Sequence, residues 1–302
     1  MIAFLAPGQG SQTEGMLSPW LELSGAADQL ALWSKASGLD LVRLGTTAST
    51  EEITDTAVTQ PLVVAATLLA HQELTKRGLL AGKEFIAAGH SVGEIAAYAI
   101  AGVMGADDAV ALAATRGAEM AKACALEPTG MSAVLGGDEA EVLARLEQLD
   151  LTPANRNAAG QIVAAGPLAA LEKLAEDPPA KARVRALGVA GAFHTKYMAS
   201  ALDAYAAAAA AIATAEPTAT LLSNRDGKPV TSAAAAMDAL VAQLTQPVRW
   251  DLCTEYLREN TVTAIVEFPP AGTLTGIAKR ELRGVPARAV KSPADLDELT
   301  NL

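Results

Sequence analysis

Gly89-His90-Ser91-Val92-Gly93 sets a serine between two glycines, after an apolar run and before an alanine-rich segment. A serine in this setting becomes a nucleophile when a sharp strand-to-helix bend exposes its hydroxyl. Flanking glycines let neighbouring backbone approach without a Cβ clash. The hydroxyl then stands at the start of a helix, where free N–H groups and the dipole favour developing negative charge. A base must take its proton, and the chain offers three histidines, His71, His90 and His194. His71 lies within TLLAHQELTKRG with no partner for catalysis, and reads as a surface or packed side chain. His90 adjoins the serine on the bend, so its ring points away, which is a structural role. His194, in GVAGAFHTKYM at a loop-to-helix junction, is the general base by elimination. No Asp or Glu stands in an evident loop ahead of it to complete a triad. An imidazole needs only an acceptor that fixes its tautomer, and a backbone carbonyl serves.

The elements that must carry these groups follow from periodicity and punctuation. Ile2-Ala3-Phe4-Leu5 reads as a buried strand running into the loop PGQGSQ. A helix is expected over 61–77, a strand over 84–88, and helices over 94–101 and 107–124, with Asp107 and Asp108 at the positive end of the latter. Between residues 126 and 189 the rhythm changes. A strand at 131–135, a helix opened by Asp138 and Glu141 to about 149, strands at 152–156 and 161–165, a helix at 168–176 and a strand at 183–187 follow in the order of a ferredoxin-like unit. Residues 157–160 read as the loop between the two middle strands. Strands at 219–222 and 263–268 alternate afterwards with a helix following His194 and helices at 233–244, 251–259 and 274–282. The alanine run 204–215 is expected to be a packed helix. The predicted class is therefore α/β: a core of residues 1–125 and 190–302 around a parallel, helix-covered sheet, with a small inserted subdomain at 126–189.

With 302 residues, 51% of them hydrophobic and 19% charged, the chain has material for a large core. A net charge of −11 argues against a general nucleic-acid binder, which needs a basic field. The apolar start lacks the basic lead of a secretory signal, no run is long enough to span a bilayer, and Cys124 and Cys253 have no metal-ligand spacing. These features lead us to expect a cytoplasmic, membrane-free protein with no metal.

Seven segments together resemble one family closely: PGQGSQ, TQP at 59–61, GHSVGE, TRG at 115–117, ANRNAAGQIVAAG, GAFHT and QLTQPVRW. In this order they are similar to malonyl-CoA:acyl carrier protein transacylases, the malonyltransferases of type II fatty-acid synthesis, along essentially the whole chain. The resemblance implies an α/β-hydrolase-like core bearing a ferredoxin-like subdomain, with the site in the groove between them. It implies a Ser91–His194 dyad, with the main-chain carbonyl of Gln243 orienting the histidine, so that no acid is required. It places the backbone amides of Gln9 and Val92 in the oxyanion hole, a type of donor whose loss costs about 2.7–4 kcal/mol. Arg116 matches the arginine that holds the free carboxylate of the malonyl group, through two charge-assisted bonds. On its residues alone, Arg116 reads instead as a solvated helix arginine in a small-residue stripe. Gln60, Asn155 and Asn157 match positions near the site, and as lone amides they read as loop or cap groups. Val92 and Phe193 accompany malonyl rather than methylmalonyl use in related acyltransferase domains, the ring filling the space a 2-methyl branch needs.

Two departures stand out. Ala192 replaces a common proline two residues before His194, and is expected to loosen that loop. FPPAGTLTG replaces a Gly-Pro-Gly arrangement near residue 269. The implied substrates are malonyl-CoA and holo acyl carrier protein, with no cofactor, and the chain is expected to be a monomer. Lys181, Arg183 and Arg185, or Lys279, Arg280, Arg283, Arg288 and Lys291 with only Glu281 opposing, are the expected basic docking surface for an acidic carrier. A serine thioesterase or esterase, a discrete polyketide malonyltransferase, and a catalytically idle carrier-binding scaffold are the competing readings.

Overall fold

Strict alternation along the first strand, with Ala3 and Leu5 facing one way and Phe4 and Ala6 the other, produces a sheet buried on both faces. The computed structural model describes residues 1–80 and 82–301. Strand β1 (Ile2–Ala6) is followed by helices α1 (Ala26–Ser37), α2 (Leu41–Thr46), α3 (Thr50–Thr54) and α4 (Thr56–Lys76). Strand β2 (Phe85–Gly89) leads into α5 (Gly93–Ile100) and α6 (Ala106–Cys124). The middle of the chain holds β3 (Thr129–Gly136), α7 (Glu139–Gln148), β4 (Thr152–Ala158), β5 (Gln161–Pro167), α8 (Leu168–Glu176) and β6 (Ala182–Ala186). The remainder comprises α9 (Leu202–Ala210), β7 (Thr220–Leu221), α10 (Ala233–Ala242), β8 (Val248–Arg249), α11 (Trp250–Glu259), β9 (Ala264–Glu267), α12 (Thr273–Glu281) and β10 (Ala287–Ala289).

The strands form two sheets. The first, in the order β10-β9-β1-β2-β7, is parallel throughout, with Ala6 of β1 paired to Gly89 of β2. Helices α11 and α12 cover one face, and the larger group including α1, α4, α5 and α6 covers the other. The α/β class with a helix-covered parallel sheet and a smaller second layer is the one the sequence pattern predicts. The loops after β1 and β2 lie side by side at the carboxyl ends of neighbouring parallel strands, where open α/β sheets place their ligands.

The second sheet has the order β6-β3-β5-β4-β8. Its fourth segment of the middle region lies beside the first, then the third, then the second, all antiparallel. Val134, Ile162 and Ala164 pack one face onto α7 and α8, while Met131, Val163 and Ala165 turn the other toward the main core. The outer edge of β4 is not free: Asn155 and Arg156 pair in parallel with Val248 and Arg249 of β8. That two-residue strand, drawn from outside residues 126–189, carries no periodicity of its own and was not expected. It ties the second sheet to the helix α11 that follows.

Several expected boundaries move, each for a local reason. Helix α4 begins at Thr56 rather than 61, because the Asp55 side chain caps it by accepting the N–H of Ala57 at 2.7 Å. Pro61 therefore lies inside the helix rather than at its start. The alanine run stops being helical after Ala210. Beyond it, Ala215 N–H bonds to Val103 O and Thr218 N–H to Ala101 O, and these tertiary bonds override propensity. Asn157 and Ala158, expected in a loop, extend strand β4. His194 is followed by a short 3-10 turn, Lys196–Ala201, before α9 begins.

Candidate active site

The bend between β2 and α5 can be built only from glycine at two positions. A Cβ on Gly89 would lie 2.1 Å from the backbone of Gly93, and a Cβ on Gly93 would lie 2.2 Å from the carbonyl oxygen of Ala6. This close packing throws Ser91 into a left-handed backbone conformation, φ +54°. Such a conformation costs a non-glycine residue about 1–3 kcal/mol and persists only where its surroundings enforce it. Here Asn224 supplies the enforcement. Its Oδ1 accepts the Ser91 N–H at 2.9 Å while its Nδ2 donates to Gly89 O at 2.7 Å. Asn224 was not singled out in the sequence: it stands in SNRDG, which signals only a turn.

The Ser91 hydroxyl donates to His194 Nε2 at 2.7 Å, and His194 Nδ1 donates to the main-chain carbonyl of Gln243 at 2.8 Å. That pair of bonds selects the tautomer with its free lone pair on the serine. Burial pushes the His194 pKa down to about 3, the nearby Arg116 charge acts in the same direction, and the bond to Gln243 opposes both. The ring is thus a neutral proton acceptor at physiological pH. His194 also has a left-handed backbone, φ +59°. The loop before it is not loosened by Ala192, contrary to expectation. Ala192 is fully buried and its N–H donates to Thr129 Oγ1 at 3.1 Å, a bond proline cannot make.

Arg116 departs furthest from its reading on residues alone. It is among the most deeply buried side chains rather than solvated. Gly117 brings α6 against the start of α4, where a Cβ would lie 2.7 Å from Thr56 O, and this apposition sets Gln60 beside the arginine. Arg116 Nη1 donates to Gln60 Oε1 and Nη2 to Gln243 Oε1, both at 2.8 Å. Nη2 also lies 3.5 Å from Ser91 Oγ, and Nε has no partner. Among the described residues no carboxylate forms an ion pair with this guanidinium. A buried guanidinium held by neutral amide oxygens retains its full attraction for an anion. Gln60 is an interior residue of α4, steadied by Met120 Sδ at 3.4 Å, and not a cap.

Glu94, in the first turn of α5, is the group the sequence reading passed over. Its carboxyl group accepts from Gln243 Nε2 and from the backbone N–H of Asn224, and it is fully buried. Burial pushes its pKa up to about 8, against the pull of those donors and of Arg116. A glutamate one turn beyond the serine of this bend, on a helix otherwise apolar, is the signal that could have found it.

The expected residues converge on one cavity of about 250 Å³, lined by Gln9, Gln60, Ser91, Val92, Arg116, Asn155, Asn157, Phe193 and His194. Gln243 lies behind this wall, bonded to Arg116 and His194 in front of it. The N–H groups of Gln9 and Val92 donate to no protein acceptor among the described residues, as an oxyanion site requires. Asn155 and Asn157 sit on β4, neither loop nor cap. Asn157 Oδ1 bonds His90 Nε2 at 2.9 Å, and the His90 ring rests against Trp250, turned away from Ser91 as expected. His71 is half-buried against Phe268, outside the cavity. Met131, Ala133 and Val163 of the second sheet and Leu274 and Ile277 of α12 form the apolar remainder of the wall.

These features are common to a whole group of proteins. The acyl transferase domain family matches residues 3–294. The chain belongs to that family. It is 87% identical over 302 residues, 100% of both chains, to the malonyl CoA-acyl carrier protein transacylase of Mycobacterium tuberculosis. The crystal structure of MCAT from Mycobacterium tuberculosis superimposes with a TM-score of 0.98 at 87% identity, covering 100% of each chain. A malonyl-transacylase solved with its type II PKS acyl-carrier protein superimposes with a TM-score of 0.93 at 31% identity, covering 99% of each.

The basic residues expected around the groove of this acyl transferase divide. Arg280 Nη2 bonds Gln161 Oε1 at 2.7 Å, bridging α12 to β5 at the cavity wall. Arg288 is not unopposed, since it pairs with Glu298 at 3.2 Å. Glu281, expected to oppose its neighbours, lies 3.8 Å from Arg258 instead. Among the described residues no group of three or more His, Cys, Asp or Glu is placed to hold a metal, and no helix is long and apolar enough to cross a membrane.

Proposed function

We propose that this acyl transferase moves a malonyl group from coenzyme A to the phosphopantetheine thiol of an acyl carrier protein, by way of a malonyl ester on Ser91. Ser91 Oγ attacks the thioester carbonyl as its proton passes to His194 Nε2, and Gln243 O steadies the imidazolium that results. The N–H groups of Gln9 and Val92 hold the oxyanion. Collapse of the tetrahedral adduct breaks the C–S bond, and the coenzyme A sulfur leaves with the proton from His194. The carrier thiol then repeats the sequence in reverse. Acyl transfer exchanges polar bonds without a change of oxidation state, so the steps call for no redox cofactor.

The observation that carries this reading is Arg116. A fully buried guanidinium without a protein carboxylate, 3.5 Å from the nucleophile, suits an acyl group that bears its own carboxylate. A thioesterase for simple acyl chains has no use for it. Phe193 in the wall favours malonyl over its 2-methyl analogue by volume alone. The reading takes the chain to act as a monomer, and the free thiols of Cys124 and Cys253 suit the reducing cytoplasm. The exposed cations about α12 and β6 are the surface we assign to the acidic carrier.

Intact mass of the protein mixed with malonyl-CoA tests the reading. A malonyl adduct should form on the wild type, be absent from Ser91→Ala, persist in buffer and discharge on adding holo carrier protein. Rapid loss of the adduct in buffer alone would establish a hydrolase instead.

A further inference from the structure

Gln243 serves the site twice. Its main-chain carbonyl accepts from His194 Nδ1 at 2.8 Å, and its side-chain Oε1 accepts from Arg116 Nη2 at 2.8 Å. The carbonyl is held by its place at the end of α10, where the Gln243 N–H closes the helix on Ala239 O. The side chain has its own torsions and needs a separate restraint. Glu94 provides the shortest: one carboxyl oxygen accepts from Gln243 Nε2 and the other from Asn224 N–H, while Ser91 O at 3.2 Å and Asn224 Oδ1 at 3.3 Å accept the same NH2 at longer range. Asn224 in turn grips the Ser91 bend, so the carboxylate is anchored to the scaffold of the nucleophile.

This arrangement permits only one orientation of the Gln243 amide. Turned over, it would set its NH2 against the guanidinium, donor facing donor, and would lose the bonds that Nε2 gives to the Glu94 carboxyl, Ser91 O and Asn224 Oδ1. The amide also stands between Glu94 and Arg116, which share no ion pair. A direct pair would saturate the guanidinium with a protein carboxylate, in competition with any carboxylate on the substrate.

We propose that Glu94 is a positioning residue that sets the acyl-group selectivity of the site, acting through the Gln243 amide on Arg116. It rests on the reading that Arg116 receives the malonyl carboxylate. Glu94 itself touches neither substrate nor reacting atoms.

The test compares single-turnover acylation of Ser91 by malonyl-CoA and by acetyl-CoA, a thioester that lacks the carboxylate. Glu94→Leu fills the buried space but accepts no hydrogen bond, leaving the Gln243 NH2 only its longer bonds to Ser91 O and Asn224 Oδ1. The malonyl rate should fall about tenfold further than the acetyl rate, the worth of one misaligned bond to a charged group. Glu94→Leu added to Arg116→Ala should cause no further loss of preference, because the two act on one interaction. Equal loss with both substrates would show a merely structural role and overturn the proposal. Should the leucine variant not fold, Glu94→Asp withdraws the carboxylate by one methylene. A lowered malonyl-to-acetyl ratio then supports the proposal, and a ratio at the wild-type value overturns it. Arg116→Ala alone separates the two levels. An unchanged ratio there sinks the carboxylate reading itself, whereas a collapsed ratio there beside an unchanged one in the Glu94 variants sinks only the role of Glu94.

Discussion

The two walls of the cavity are made differently. On the parallel-sheet side, Ser91, His194, Arg116, Gln243, Glu94 and Asn224 form a continuous hydrogen-bonded ladder in which nearly every polar atom has a named partner. On the second-sheet side, Met131, Ala133 and Val163 offer apolar surface beside the amides of Asn155 and Asn157, and none of these bonds Ser91. The first wall holds groups in fixed geometry, where misplacement by an ångström is costly. The second mainly excludes water and shapes space, where volume and apolarity dominate. The hydrogen-bonded network around Ser91 thus belongs to the parallel-sheet side, and Phe193, next to His194 but part of the steric wall, stands where the two sides meet.

Substitutions at the two walls should differ in kind as well as size. Ser91→Ala, on the bonded side, should reduce acyl transfer on the order of 10⁴-fold or more without changing the melting temperature greatly, read by radiolabel transfer to carrier protein. A residual rate within tenfold of wild type would place the nucleophile elsewhere. Phe193→Ala, on the steric side, should leave malonyl transfer measurable. It should raise methylmalonyl relative to malonyl transfer by about 10–100-fold, as expected for opening room worth ~1–3 kcal/mol. If the ratio stays constant, the ring is core packing and the selectivity lies elsewhere.

At the rim, where neither wall holds, smaller effects are expected. Reversing charge with Arg280→Glu and Arg283→Glu should raise KM for the acidic carrier by several-fold at low salt, with KM for malonyl-CoA unchanged, and the effect should fade as salt is added. Equal effects on both substrates would locate the carrier elsewhere. The smallest change is predicted for pH. Catalysis needs neutral His194, and its pKa is lowered from the usual 6.5 to about 3. Protonation therefore removes the base only well below pH 5, not near 6.5. The single-turnover acylation rate should vary by less than about twofold between pH 7.5 and 5. An acidic limb centred near 6.5 would mean the ring is hydrated and the bonded wall looser than described.

Legibility in the sequence follows the same division. The serine bend was readable because only glycine can occupy Gly89 and Gly93, a local steric demand that leaves a local mark. Leu168–Glu176 was placed to the residue, since apolar spacing within one helix needs no distant information. Helix α4 was started late because its cap, Asp55, precedes the apolar run that announced it. Strand β8 was invisible because two residues have no period, and they pair only because β4 presents an open edge to them. The assignments of Gln243, Arg116 and the oxyanion donors came through family resemblance, since spacing alone left Arg116 a surface residue.

By itself the sequence determined the α/β alternation, the antiparallel insertion and the exposed hydroxyl, because helix period, strand period and glycine sterics act over a few residues. Tertiary structure decided that Arg116 is buried without an acid, that Glu94 reaches it only through an amide, and that Asn224 holds the bend from 133 residues away. Burial and hydrogen-bond partnership belong to pairs of segments brought together by packing, and no single stretch of chain encodes them.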